Sequence, residues 1–364
     1  MQRKAAGKPG QRESETLNLL VAGVGGNVSQ GILKALALSS LRCRTVAACI
    51  HPLSAGLFTA DAAYVSPLAS SPEFLPWLLN VCRRERIHAV LSGVEPVLAR
   101  ISEHAETVTT ETGAIPIVSE PEKLAVADDK LRTCEWLRDN GFEYPFFADS
   151  TNSAQIDALV RRSGFPLIAK PRMGKGAEGF CRIEDESALR LIAGRPGYVV
   201  QEYLGSDCAE FTAGCVCDRE GIVRGCICMK RELLYGTTYR AEVCDHPAVR
   251  EQATNIARKL RPTGPVNIQL RIHRDRPVCF EINLRFSGTA PIRARFGFNE
   301  VEFALRHFVL REEPADLPVV KSGIALRYWN EVYVDPAAVR QLQSAGELPD
   351  AGAHELTVED YGIR

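Results

Sequence analysis

The sequence has no apolar run approaching the roughly 18 residues that a membrane-spanning helix needs. It has no surplus of charge either. Its 44 Lys and Arg against 45 Asp and Glu leave a formal net charge of −1, which gives no general attraction to nucleic acid or to an anionic membrane. Neither partner is expected. There is no internal repeat and no low-complexity stretch. The 12 cysteines lack the spacing of a disulfide scaffold. They read as reduced thiols of a cytoplasmic protein, packing as small hydrophobes. The densest set is Cys215, Cys217, Cys226 and Cys228. A turn at Arg219-Glu220 would put Cys215 opposite Arg224 and Cys226 opposite Ala213. Thiols strung along two strands do not converge on a tetrahedron, so zinc is not expected. Residues 1–16 are polar and lack the apolar segment of a secretory signal. They are expected to be a disordered tail.

Two familiar nucleotide signatures are also missing. In Gly23-Val24-Gly25-Gly26-Asn27-Val28, Val28 stands where a dinucleotide fingerprint needs its third glycine. The second strand ends at His51 without the required acid. No Gly-Lys-Ser/Thr opens a helix, so there is no P-loop.

What is present is ordinary globular composition, 45% hydrophobic and 24% charged over 364 residues. That length suits two or three domains. Strand patterns over 17–22, 45–50, 63–65, 89–92 and 115–118 alternate with helical ones over 29–38 and 72–85. This predicts a parallel α/β domain at 17–120. A helix over 121–140 follows, stopped by Gly141. Strands over 167–170, 180–183 and 198–204, with a helix over 186–193, lead to a strand-dominated stretch over 209–230, and a helix over 247–260 precedes a hairpin.

That hairpin is the most informative segment. Its second strand reads Cys279-Phe280-Glu281-Ile282-Asn283-Leu284-Arg285. Alternation puts Glu281, Asn283 and Arg285 on one face, and Phe280, Ile282 and Leu284 on the other. A carboxylate, an amide oxygen and a cation in a row suit Mg²⁺ and phosphates better than a core. A three-residue loop, Arg274 to Arg276, would set Gln269 opposite Glu281 and Asn267 opposite Asn283. A two-residue loop would slip the parity and put them on opposite faces. An odd loop is therefore expected.

Other pieces fit nucleotide chemistry. Lys170 ends a strand, and Gly174, Gly176 and Gly179 follow it closely. A glycine hairpin can close amides over phosphate oxygens while a lysine supplies a point charge. Asp129-Lys130 lies early in a helix. Glu202 follows Val199-Val200, where a purine slot could form, and Glu210 is placed to meet a ribose or a phosphate-bound metal.

Taken in order, these pieces resemble the ATP-grasp superfamily, in its carbamoyl-phosphate-synthase-like branch. The matching residues are Asp129-Lys130, Ile168 to Pro171, the glycine loop, Gln201 to Gly205, Gly264 to Gln269 and Glu281 to Thr289. The resemblance covers about 17–312. It implies a pre-ATP-grasp α/β domain at 17–120, a two-lobed α+β ATP-grasp domain at 121–312, and an extension at 313–364. The lid lobe would span about 121–200 and the second lobe about 201–312. Lys130 and Lys170 would hold ATP phosphates. Gln201, Glu202, Tyr203 and Leu204 would read adenine, with Glu210 at the ribose. Gln269, Glu281 and Asn283 would carry two Mg²⁺ ions, with Mn²⁺ as a substitute, and Arg285 would steady the γ-phosphate. Two departures are noted: Leu284 stands where proline is common, and Gln269 where an acid is common.

The substrates would be a small carboxylic or amino acid and an amine, joined through an acyl phosphate with release of ADP and phosphate. Arg240 and Glu242, after the flexible Tyr235-Gly236, are candidates to meet them, Arg240 as a catalytic cation. Arg293 and Arg295 are further carboxylate candidates. The resemblance implies that Gly25 and Gly26 line the substrate cleft, and Glu95 should face it by switch-point logic. The sequence shows no glutaminase, biotin-carrier or second ATP-grasp segment, which disfavours carbamoyl phosphate synthesis itself. A kinase that stops at the acyl phosphate and a non-catalytic nucleotide-binding protein are the alternatives. A homodimer is common in the family.

Overall fold

The computed structural model describes residues 16–174, 179–205, 209–317 and 322–358. The tail expected over 1–16 falls outside them but for its last residue, and Gly176 lies outside them too. Leu17–Ala22 (β1), Cys43–Cys49 (β2), Ala62–Val65 (β3), Ala89–Ser92 (β4) and Ile115–Pro116 (β5) form a parallel sheet in the order β3-β2-β1-β4-β5. Strand β1 reads Leu-Asn-Leu-Leu-Val-Ala because both of its faces are covered. Leu17, Leu19 and Val21 enter one core, and Leu20 and Ala22 the other. The first core also takes Phe286, Val301, Leu305 and Phe308 from far along the chain. The N-terminal sheet is thereby locked to the segment that follows the metal strand.

Phe147–Asp149 (β6), Leu167–Pro171 (β7), Cys181–Ile183 (β8) and Tyr198–Glu202 (β9) make a small antiparallel sheet, ordered β6-β9-β7-β8. Glu210–Cys217 (β10), Val223–Leu234 (β11), Thr237–Val243 (β12), Gly264–His273 (β13), Arg276–Asn283 (β14) and Gly323–Leu326 (β15) make the large one, ordered β14-β13-β10-β11-β12-β15. Val332–Val334 (β16) pairs with Leu356–Val358 (β18), and Glu347–Leu348 (β17) adds an antiparallel edge beside β3. The C-terminal segment therefore contributes a strand to each of the two larger sheets.

The helix expected over 121–140 is two helices, Pro121–Asp128 and Lys130–Asp139. Asp129 breaks it. Its carboxylate accepts from the amides of Leu131 and Arg132 and from the Arg172 guanidinium, so N-capping overrides an otherwise continuous helical pattern. Both helices pack Leu124, Ala127 and Leu137 into the core of the large sheet. The smaller sheet, expected as part of a lid from about 121, begins only at Phe147.

The cysteine hairpin also differs from its expected register. Cys215 faces Cys226, and Ala213 faces Cys228. The turn is longer than Arg219-Glu220, because Asp218 accepts from the amides of Glu220 and Ile222. Asp218 also takes the Arg224 guanidinium, which removes Arg224 from its expected place opposite Cys215.

Candidate active site

A cavity of about 700 Å³ opens where the three larger sheets meet. One wall carries Lys130, Lys170, Gly174 and the run Gln201 to Leu204. The facing wall carries Glu210, Gln269, Glu281 and Arg285. One end is closed by Gly26, Asn27, Gly93 and Glu95. Those residues follow β1 and β4, the neighbours between which the parallel strand order reverses, which is where open α/β sheets bind ligands.

The metal strand reaches its expected register by an unexpected route. Gln269 faces Glu281 and Asn267 faces Asn283. The loop, however, is even. His273 pairs with Arg276, which leaves only Arg274 and Asp275, both at positive φ (50° and 60°), in the turn. Leu270 then faces Cys279, and the ladder skips Phe280. This β-bulge restores the parity that the short loop would have lost. It also turns Phe280 into the cavity beside Glu281, not onto the opposite face as alternation implies. The Lys170 ammonium lies 5.3 Å from the Phe280 ring centroid.

Charges in the cavity are tightly arranged. The Glu281 Oε1 accepts from Gln269 Nε2 at 3.2 Å and from Asn283 Nδ2 at 2.9 Å. Asn283 Oδ1 accepts from Arg285 Nη2 at 3.0 Å, and Arg285 Nε donates to Glu95 Oε1 at 2.8 Å. Arg285 thus bridges the metal strand to the N-terminal sheet. Lys170 sits at the end of β7, ringed by protein. Burial holds its pKa below the ordinary lysine value, and the neighbouring Glu281 carboxylate opposes that shift. Lys130 starts its helix and donates to the Gly174 carbonyl at 2.7 Å. Asp128, just before it, is pushed up to about 6 by burial and by Glu95, against Arg285 and Lys130.

Several expected roles meet a different geometry. Both oxygens of Glu210 are occupied, by Arg231 at 2.7 Å and Arg271 at 2.6 Å. Burial would raise this carboxyl, but the two guanidiniums hold its pKa below the usual range. A ribose would therefore meet a carboxylate already held by two guanidiniums, not a free one. Gln269 Oε1 accepts from Arg231 at 2.7 Å. Glu202 accepts from the Phe146 amide at 2.8 Å, and Gln201 donates to Cys134 Sγ at 3.0 Å, so both side chains are tied into the scaffold while lining the cavity. Tyr203 and Leu204 also line it. Gly179, after the glycine loop, does not. Its φ is +70° and an added Cβ would lie 2.6 Å from Pro171.

Five residues expected at the substrate are not brought to the cavity. Gly25 packs against Cys49 and Ser54. The β11–β12 ladder skips Tyr239, which leaves Arg240 exposed and paired with Glu232 at 2.9 Å. Glu242 is exposed on the same strand, and Arg295 is exposed at its helix end. Arg293 is fully buried, bonded to Glu300 at 3.0 Å and to Asn267 and Thr212. Its guanidinium lies across Gly214, where an added Cβ would come within 2.2 Å. In place of these five, the cavity holds Arg231, Arg271, Phe280, Thr237 and Arg327, which the sequence reading missed. Arg231 and Arg271 were findable only through register, since both stand directly across from Glu210.

Comparison with known proteins agrees with this architecture. Residues 195–332 match the family model described as ATP-grasp in the biosynthetic pathway with Ter operon. Residues 19–117 match the PylC-like N-terminal domain. The carbamoyl phosphate synthase large chain of Rubrobacter xylanophilus is 26% identical over 319 residues, covering 79% of this chain and 29% of that protein. This chain thus spans under a third of that relative's length. Among solved structures, N5-carboxyaminoimidazole synthetase from Staphylococcus aureus, complexed with ADP, superposes with a TM-score of 0.67 at 13% identity. That match covers 85% of this chain and 82% of the other. An L-amino acid ligase from Bacillus licheniformis gives a TM-score of 0.60 at 17% identity, covering 80% and 73%. Residues 195–332 thus match an ATP-grasp family model and residues 19–117, ahead of them, a PylC-like N-terminal one, and the fold is that of a pre-ATP-grasp domain followed by an ATP-grasp unit.

Proposed function

We propose that the protein is an ATP-dependent carboxylate–amine ligase that activates a small carboxylic or amino acid as an acyl phosphate. One observation carries the reading: Glu281 and Arg285, with Asn283 hydrogen-bonded to both, face the same cavity as Lys130 and Lys170, and that cavity ends at Glu95 and the loop after β1. A carboxylate is a poor electrophile until its oxygen is made a leaving group. Lys130, Lys170 and Arg285 would neutralise the transferring phosphoryl group. The acid attacks the γ-phosphorus, ADP leaves, and the amine then displaces phosphate from the acyl phosphate. Gly174 and its loop would exclude water from that intermediate. Phe280 and the run Gln201 to Leu204 would enclose the adenine.

A carboxylate and two amide oxygens would be the hard ligands Mg²⁺ prefers, but here both amides turn their NH2 groups to Glu281 and their oxygens to Arg231 and Arg285, so binding requires both amides to turn. Glu281, Asn283 and Gln269 would hold it, with two ions or Mn²⁺ as the finer proposal. The ion would supply charge neutralisation between the β- and γ-phosphates. Residues 17–120, 121–312 and 313–364 would serve as substrate-side domain, ATP-grasp unit and extension. Free thiols at the described cysteines favour the cytoplasm. A homodimer is the expected assembly.

The test is ADP release over a panel of amino acids and small carboxylates paired with amines. Glu281→Gln should lower the rate by roughly 100- to 1,000-fold, the usual cost of losing one preorganised electrostatic contact at a reacting centre. Equal release by wild type and variant across the panel would remove the ligase reading.

A further inference from the structure

The arginines around the cavity differ in one respect. Arg231 and Arg271 share the carboxylate of Glu210, Arg285 pairs with Glu95, and the buried Arg293 pairs with Glu300. Arg327 has no such partner among the described residues. It follows β15, which pairs with β12, and its amide extends that ladder by donating to Tyr239 O at 2.9 Å. Its side chain turns into the cavity, where it donates to the Gly288 carbonyl. Burial alone holds its pKa below the ordinary guanidinium value, and no acid counters it. A guanidinium has five N–H donors in a fork suited to carboxylates, so one backbone carbonyl leaves most of them unused.

The surroundings are built for an anion's oxygens. Gly288 lies against Asn27, where an added Cβ would come within 3.0 Å of Nδ2. Asn27 in turn donates to the Thr237 hydroxyl at 3.2 Å. Asn27, Thr237 and Ser287 line the same cavity as Arg327, and so does Glu95. This end carries neutral hydrogen-bonding groups, the Glu95 carboxylate paired with Arg285, and in Arg327 a cation with no ion pair among the described residues.

We propose that Arg327 anchors a carboxylate that takes no part in the reaction, so that the substrate held here is a free amino acid or a dicarboxylate. The C-terminal extension is then a specificity element: it adds a strand to the large sheet and delivers this guanidinium beside Gly288. The inference rests on the ligase reading but concerns binding, so the two can fail separately.

The experiment uses the full chain with MgADP. The probes are the proteinogenic L-amino acids, malonate, succinate and glutarate, each beside its carboxamide, with phosphoserine and inorganic phosphate as separate arms. Binding is read by calorimetry and thermal shift, and turnover by ADP release. Wild type should bind at least one carboxylate probe and lose it when the carboxylate is made an amide. Arg327→Gln should raise Kd and KM for that probe by roughly 10- to 100-fold, the span expected for a hydrogen bond to a charged group. MgADP binding should be unchanged, and Arg327→Lys should recover part of the loss. An unchanged Kd in Arg327→Gln, equal binding of acid and amide, binding of the phosphate arms alone, or no binding by any probe would each overturn the proposal. Arg327-dependent binding without ADP release from any acid would overturn the ligase reading and leave this one standing.

Discussion

Two sets of cations lie near the face of the large sheet that carries Glu210, Asn267 and Gln269, and they behave as opposites. Arg293 and Glu300 are sealed in the interior, at 1% and 0% side-chain exposure. Thr212 and Asn267 take a second guanidinium nitrogen, and Gly214 clears room for the ring of donors. Lys170 and Arg327 instead face the cavity, and among the described residues no carboxylate lies within ion-pair distance of either. A sealed pair is satisfied at the cost of desolvating both ions, and it acts on nothing outside. A desolvated cation facing a cavity is incomplete without a ligand. Charge identity does not separate the two groups; the partner does.

The comparison can be broken most forcefully from the sealed side. Arg293→Met would leave Glu300 buried and unpaired. Burial already raises that carboxyl despite Arg293. The expected loss is about 3–5 kcal/mol of stability, read by urea unfolding. A loss of catalysis with normal stability would instead place Arg293 with the cavity cations.

A smaller effect is expected at Asp128. Its carboxyl is pushed up to about 6, so the fold favours the neutral form. Its cost is absent below the ordinary value of 3.8 and grows as pH rises through about 6. Asp128→Asn should stabilise the protein at pH 8 by roughly 1–2 kcal/mol, allowing for partial exposure, and not at pH 4. The same gain at both pH values would show that the carboxyl is not held neutral by its surroundings.

The smallest effect belongs to the exposed pair Arg240–Glu232. Arg240→Ala should change stability by no more than about 0.5 kcal/mol and leave ADP release intact. A tenfold fall in the rate would restore Arg240 to the catalytic set.

Much of the expected arrangement was legible because strand periodicity acts at short range. Glu281 and Asn283 lie in β14 and Arg285 just past its end, and hydrogen bonds link the three. Lys170 and the glycines after it share one loop, and the helix-opening Asp129-Lys130 announces its own cap. What failed did so where local rules were overridden. The three-residue loop was wrong because a two-residue turn and a bulge at Phe280 reach the same register. Phe280 was thereby placed on the wrong face. A skipped Tyr239 turned Arg240 outward in the same way. A bulge is a single extra residue, and nothing in the alternation of side chains marks it beforehand.

The sequence by itself determined the chemistry on offer: a strand of metal and phosphate ligands, two lysines, a glycine loop and an α/β domain ahead of them. Their types and spacings follow from local periodicity, which acts over a few residues. Only the tertiary structure decided which charges face the cavity. Arg231 and Arg271 meet Glu210 through cross-strand register, Arg293 is sealed against Glu300, 7 residues on, and Arg327 follows a strand that begins 80 residues after its partner strand ends. Those outcomes depend on contacts between segments far apart in the chain, and so on how the sheets pair and not on which residues they contain.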